Sequence, residues 1–301
     1  MQTYADVHRW ADIKMVNYIV RPQANHAVTP WSGTLCTLQD DHLFELYANG
    51  ATARIAFTEI ALEHVLACEG VQRGPLCFVT LVPNLWAEPM RDRWFHSHWE
   101  NARRRRESDA AKFEIMPLQQ MARQALGDVP FVGMVEMVLW RRWGPHGRDW
   151  LQDWVSWHCH LLTWGIDQKA LSRRLDPFRE RHRSLLSNIP SAHVLAFDAD
   201  QLEQKLAYML KAPQKMTRVE YLGEWVSPIT GEVRPAGLHA QKDWLQTGHR
   251  LRCADIMGPR TLDKLLFGNG EGTSVVRAIR AESLAPFRAW ERRQPWAQRR
   301  G

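Results

Sequence analysis

Four stretches of this chain carry apolar runs of strand length, and the segments between them place apolar residues at helical spacing. Residues 76–82 are nearly continuous in apolar side chains, opened by Gly74-Pro75, closed by Pro83-Asn84 and interrupted only by Thr80. Such a run between turn signals predicts a central strand. Residues 131–140 form a second run, with one carboxylate, Glu136, in its middle. Residues 154–164 form a third, carrying His158 and His160 one residue apart. Alternate side chains of a strand take opposite faces, so the two histidines share a face and Trp157, Cys159 and Leu161 take the other. Residues 192–197 are the fourth run.

Helical spacing appears at residues 58–68, with Ile60, Leu62, Val65 and Leu66 apolar and Gly70 as a stop. It recurs at residues 201–211, where Asp198 or Asp200 can cap the start and Pro213 ends the helix. Leu202, Leu206 and Met209 or Leu210 make the buried stripe of that helix, and Tyr208 and Lys211, three apart, share a face. Residues 88–124 read as a charged, Trp-rich helical stretch, residues 166–189 as helical in part, and residues 261–267 as an amphipathic helix. Residues 17–20 have strand character, 24–33 are a loop, 227–231 are a hairpin turn, and 268–273 are a loop lacking the Gly-Lys-Ser/Thr ending of a phosphate-binding loop. Residues 287–301 are a basic, partly disordered tail.

The turn residues Gly144-Pro145-His146-Gly147 lie midway between Glu136 and His158. The flanking runs therefore predict an antiparallel hairpin in which Glu136 sits opposite His158 or close to it. One carboxylate and two imidazoles on one sheet face make a three-ligand divalent site with open positions. A carboxylate inside an apolar run is costly to bury unless paired or metal-bound; an edge position or a nearby arginine would serve it as well.

Composition narrows the class only modestly. The 301 residues suffice for one large or two small domains. Lys plus Arg exceeds Asp plus Glu by 39 to 33, compatible with a polyanionic partner. The run Arg103-Arg104-Arg105-Arg106, close to Trp94 and Trp99, is a candidate for phosphate-backbone contact, and Trp157, Trp140 and Trp143 are candidates for stacking on unpaired bases. The five cysteines are scattered, with no Cys-x-x-Cys, which points to a reducing compartment. With no apolar run of membrane-spanning length and no signal-peptide core, the chain is expected to be cytoplasmic, with no membrane partner.

An apolar strand with Thr80, a Glu-bearing strand leading into His158-Cys159-His160-Leu161-Leu162, and a helix with Tyr208-Met209-Leu210-Lys211 follow one another in a definite order. This ordered set resembles the HUH endonucleases, and within them the single-tyrosine rolling-circle replication initiators of bacterial plasmids. The resemblance covers about residues 76–213. Cys159 stands between the two histidines and Val82 where a second Thr would be expected. It implies an α+β fold: a central antiparallel sheet of RRM/ferredoxin-like type with helices on one side, in a nicking domain at 66–225. Residues 1–65 would then be an N-terminal extension and residues 226–301 a C-terminal hairpin and helix region.

The resemblance also implies roles. His158 and His160, with Glu136 as third ligand, would bind Mg²⁺ or Mn²⁺; the nitrogen ligands favour Mn²⁺. Tyr208 would be the nucleophile on a single-stranded origin or hairpin phosphate, leaving a 5′-phosphotyrosine and a free 3′-OH. Lys211 would stabilise the phenolate or hold the phosphate. No helicase-type phosphate loop is seen, so a separate host helicase would unwind the duplex. Three other readings remain open: a related transposase or relaxase, a non-catalytic nucleic-acid-binding regulator, and a metal-dependent hydrolase that uses water.

Overall fold

A computed structural model describes residues 2–20, 46–90, 109–150, 153–226, 229–230, 232–235, 237–258 and 260–293. Arg103 to Arg106 lie outside the described residues, as do Trp94, Trp99 and residues 24–33. The strands used below are β1 (Leu76–Leu81), β2 (Ala87–Met90), β3 (Phe131–Arg141), β4 (Asp153–Trp164), β5 (Ala192–Phe197), β6 (Lys215–Tyr221), β7 (Leu238–Trp244) and β8 (Leu266–Asn269). The helices are α1 (Gln2–Val20), α2 (Ala51–Leu66), α3 (Ile115–Leu126), α4 (Leu202–Leu210), α5 (Thr247–Met257) and α6 (Glu271–Ser283).

The spine is the β3–β4 hairpin, paired antiparallel from Phe131 opposite Thr163 to Trp140 opposite Trp154. Two shorter strands share each of its outer edges. β1 and β2 pair with successive parts of β4, while β8 and β6 pair with opposite ends of β3. Among the described residues eight strands form one sheet, with the path β7-β6-β3-β4-β1-β5 and with β8 and β2 joined to β3 and β4. The sheet is mixed rather than antiparallel throughout, because β6 runs parallel to β3 at Leu139 to Arg141. That pairing is reached by a long connection through β5 and α4, which hairpin logic does not anticipate.

Both faces of the sheet are covered, which corrects the expectation of helices on one side only. On the face of His158 and His160, Tyr208 of α4 lies against His160 and Glu271 of α6 accepts a hydrogen bond from Trp164 Nε1. On the other face Trp157 donates to the Ala110 carbonyl and stacks on Phe113, just before α3. A methyl group at Gly272 would overlap the Phe131 carbonyl, so only glycine lets α6 start against β3. One contiguous core joins Phe57, Ala61 and Val65 of α2, the sheet, and Val275, Val276 and Ile279 of α6. Residues that the resemblance places in terminal extensions thus contribute to the main core.

Several local expectations change. Residues 17–20 close helix α1, whose Ala5, His8, Ala11 and Met15 are buried at three- and four-residue spacing. Helical periodicity over the whole segment overrides the strand propensity of Tyr18-Ile19-Val20. Residues 87–90, read as the edge of a helical stretch, form β2. The helix expected over 261–267 is cut to Leu262–Leu265, because Leu266–Asn269 pairs with β3 as β8; residues 271–273 open α6 rather than forming a loop, and Ala285–Arg292 is a helix rather than tail. Cys68, Cys77, Cys159 and Cys253 are buried and unbridged. Among the described residues no helix is long and apolar enough to cross a membrane.

Candidate metal centre and tyrosine helix

Glu136 pairs with His158 across the central hairpin, and His160 pairs with Thr80 of β1 on its other side. Pairing and alternation together place Glu136, His158, His160 and Thr80 on one face. All three would-be ligands are buried, Glu136 at 5% exposure and the histidines at 6% and 4%. Their donor atoms converge. His160 Nε2 is 3.0 Å and His158 Nε2 3.6 Å from Glu136 Oε2, and the two Nε2 atoms are 3.2 Å apart. Donors bound about 2.1 Å from one ion stand roughly 3–3.5 Å from each other, so the spacing suits a single small divalent cation.

The outer nitrogens explain the orientation. His158 Nδ1 faces the Ser156 carbonyl at 3.4 Å. A carbonyl only accepts, so a proton sits on Nδ1, which leaves Nε2 as the nitrogen turned inward to serve as a ligand. His160 Nδ1 lies 3.0 Å from Thr80 Oγ1. With the ring proton donated to that hydroxyl, His160 likewise presents Nε2 to the centre. Two inward nitrogens and a carboxylate oxygen are a donor set that a cation completes. Thr80→Val keeps the shape and deletes the acceptor. It is expected to weaken Mn²⁺ binding about tenfold, as lost outer-shell partners commonly do. Titration calorimetry reads this directly, and unchanged affinity would remove Thr80 from the role.

Charge is balanced by Lys211. Burial alone would raise the Glu136 carboxyl, but the Lys211 ammonium holds it well below the usual carboxylate range. Lys211 Nζ donates to both Glu136 oxygens, at 2.8 and 3.0 Å. Burial pushes His160 down to about 4 against the opposing pull of Glu136. At neutral pH Glu136 is therefore ionised and His160 neutral, the states in which each can act as a ligand. The sign for stability follows. Below about 6.5 an unfolded histidine takes up a proton that folded His160 refuses until about 4, so the folded state loses stability as pH falls through that window.

Helix α4 delivers Tyr208 to this group. The Tyr208 ring meets His160 edge-on at 5.3 Å and Phe78 at 5.8 Å, and remains 41% exposed. Lys211 does not continue the helix. It is the C-cap residue in extended conformation (φ −64°, ψ 152°), which turns its side chain across the Tyr208 ring at 4.0 Å and on to Glu136. The shared face of Tyr208 and Lys211 thus comes from this turn rather than from helical spacing.

Sequence reasoning missed what holds the turn. Tyr4 of α1 donates to the Leu210 carbonyl at 3.1 Å, and the buried Arg54 of α2 donates to the same oxygen. The Ala212 N–H donates to His8 Nε2 at 3.0 Å, while His8 Nδ1 lies 2.8 Å from the Tyr4 carbonyl. Burial, reinforced by Arg54, lowers His8 to about 4, which keeps its accepting nitrogen free. These residues sit on featureless helical stretches far from residue 210, and no local pattern marks them.

Asp12 of the same helix accepts from the Ala51 N–H at the start of α2, at 2.7 Å. Burial raises Asp12 to about 7. A raised carboxyl contributes stability that is complete below its unfolded value near 3.8 and lost as pH rises through about 7. Asp12→Asn retains an accepting oxygen, so it is expected to gain on the wild type progressively between the unfolded value near 3.8 and about 7, and to hold a constant advantage above that. The gain is bounded at about 1.4 kcal/mol per pH unit by the one-proton limit. Urea unfolding at about pH 4.5 and about pH 7.5 checks it, and a variant-minus-wild-type difference that is the same at both would refute it.

Three sequence candidates are not surface groups. Trp157 is fully buried, with the Arg260 guanidinium 4.8 Å from its ring, and offers no stacking face to DNA. Trp140 and Trp143 are also buried, in a second apolar cluster with Leu185 and Leu186. Cys159 is buried on the face opposite the histidines and is not a ligand.

Fold and site together define a mixed α+β protein with a buried Glu136–His158–His160 group able to hold a metal ion. No family model, no curated protein and no solved structure matches the chain.

Proposed function

We propose that this protein is a DNA-nicking and joining enzyme of the HUH type, acting as a rolling-circle replication initiator with Tyr208 as its nucleophile. One observation carries the reading. Tyr208, the tyrosine of Tyr-x-x-Lys, packs against a ligand of the only Glu–His–His group found among the described residues, and its partner Lys211 spans the Tyr208 ring and Glu136. A solvated lysine and a merely packed tyrosine would require neither contact.

Glu136, His158 and His160 would hold Mn²⁺ or Mg²⁺, which when bound polarises a phosphate and offsets its charge. The chain's own groups do the rest. Tyr208 supplies the phenolic oxygen, from the partly open side of the site, to a single-stranded phosphate. The new bond is Tyr208 oxygen to phosphorus; the bond that breaks is phosphorus to the 3′ oxygen, which leaves and takes a proton as the phenolic proton is lost. Lys211 places a positive charge beside the ring where phenolate character develops. Thr80 and the Ser156 carbonyl fix the imidazoles, and α1 and α2 fix the turn that aims Lys211. The reverse step, attack of a 3′-OH on the phosphotyrosine, restores the strand.

The test is incubation with end-labelled single-stranded DNA from the region flanking the gene, with Mn²⁺, followed by a denaturing gel. Label shifted to the size of the protein, dependent on metal and lost in His158→Ala/His160→Ala, is expected. Cleavage without any adduct would replace this reading by a water-using hydrolase, and binding with neither by a non-catalytic regulator.

A further inference from the structure

Past the metal group, the same face of the sheet continues through β6 to the edge strand β7, where it carries an aromatic side chain with no core to fill. Parallel pairing of Leu139 with Met216 puts Lys215 beside Val138, on the face of Glu136. Antiparallel pairing then puts Trp244 opposite Lys215 and Lys242 opposite Thr217, again on that face. Trp244 is 57% exposed, and Lys215 and Lys242 are exposed as well. Lys215 Nζ lies 5.1 Å from the centre of the Trp244 ring. Neither Lys215 nor Lys242 has an acidic partner among the described residues, whereas Arg218 on the opposite face is paired with Glu220 and Asp243. Two strand spacings and two residues separate Trp244 from Glu136, about 12 Å between backbones. The Leu245 N–H donates to the Gln214 carbonyl, which ties this platform to the segment that follows Lys211.

We infer that Trp244, with Lys215 and Lys242, is a binding subsite for single-stranded DNA, stacking one base and holding the adjoining phosphates on the way to Tyr208. This rests on the nicking reading for its direction but not for its existence. An edge strand carries lysines to block pairing with other chains, yet an exposed tryptophan works against that purpose. An exposed indole beside unpaired cations matches what an unpaired strand offers, a π face and negative phosphates, and suits it better than a duplex, whose bases are already stacked. With Trp157, Trp140 and Trp143 buried, Trp244 is the exposed tryptophan whose register puts it on the face of the metal group.

The experiment is fluorescence anisotropy in EDTA, so that binding is read without cleavage, using labelled oligothymidylate of about 20 nucleotides and an abasic oligomer of equal length. The length exceeds the roughly 4–16 nucleotides that comparable grooves occupy. Trp244→Ala is expected to weaken oligothymidylate binding about tenfold, the usual size of one base–aromatic stack. Trp244→Phe should recover most of the loss. On the abasic oligomer wild type and Trp244→Ala should bind alike, and Lys215→Met/Lys242→Met should weaken both ligands and flatten the salt dependence. Because Trp244 is exposed, the variants fold as the wild type does. Equal binding of oligothymidylate by wild type and Trp244→Ala, or an equal loss on the abasic oligomer, would overturn the subsite. Trp244-dependent binding in a protein that forms no adduct with Mn²⁺ would instead retire the nicking reading and leave the subsite standing.

Discussion

Tyr208→Phe is expected to abolish the covalent protein–DNA adduct while leaving the fold and DNA affinity intact. The hydroxyl of Tyr208 makes no hydrogen bond among the described residues, and the ring makes all the contacts seen, with His160, Phe78 and the Lys211 ammonium. Phenylalanine preserves each of them, so unfolding free energy should move by no more than about 0.5 kcal/mol. In the proposed nicking reading Tyr208 is the nucleophile, and no other group replaces its hydroxyl. Of the other described tyrosines with placed side chains, Tyr4 is hydrogen-bonded at the back of α4, and Tyr47 is half-buried in a bridge with Thr261. Removal of a nucleophile costs on the order of 10⁶ in rate, so the labelled band should fall below detection. Adduct formation at even a hundredth of the wild-type rate would move the nucleophile elsewhere.

The second large effect concerns stability. Lys211→Met leaves the Glu136 carboxylate buried without its cationic partner. Breaking a buried pair by removing one partner costs about 3–5 kcal/mol, and the lower end applies because the Lys211 side chain is 20% exposed. Chemical denaturation in EDTA should therefore show a loss of about 3 kcal/mol. Adding Glu136→Gln to Lys211→Met removes the stranded charge and should return the protein to within about 1 kcal/mol of wild type. Mn²⁺ should stabilise Lys211→Met more than wild type, because in the wild type the cation and Lys211 share the Glu136 oxygens. Should Lys211→Met be as stable as wild type in EDTA, the ion pair contributes no net stability; should Mn²⁺ stabilise both equally, lysine and cation do not compete.

Both effects meet at one short piece of chain. Leu210 to Ala212 leaves the helix, turns Lys211 inward and is gripped from behind by Tyr4, His8 and Arg54. The terminal segment is therefore a support of the site. Truncating α1 would expose the Leu210 carbonyl and the Ala212 N–H to water and free the turn that aims Lys211.

By itself the sequence determined the local part of this arrangement. Period-two alternation in a strand puts His158 and His160 on one face and Cys159 on the other, and the central Gly-Pro-His-Gly turn puts Glu136 opposite His158. Those relations depend on neighbours and on one hairpin, so they are written in spacing. Tertiary structure alone decided the rest. It set β6 parallel to β3, covered both faces of the sheet, made a strand and a helix of residues 266–283, and buried Trp140, Trp143 and Trp157 while leaving Trp244 exposed. A tryptophan has the same composition and local pattern in a core as on a surface, and its fate depends on what distant segments bring against it. The turn at Lys211 was hidden for the same reason, since the groups that hold it stand some 150 to 200 residues away along the chain. Contacts of that range are selected by the packing of the whole core and leave no periodic trace in the segments they join.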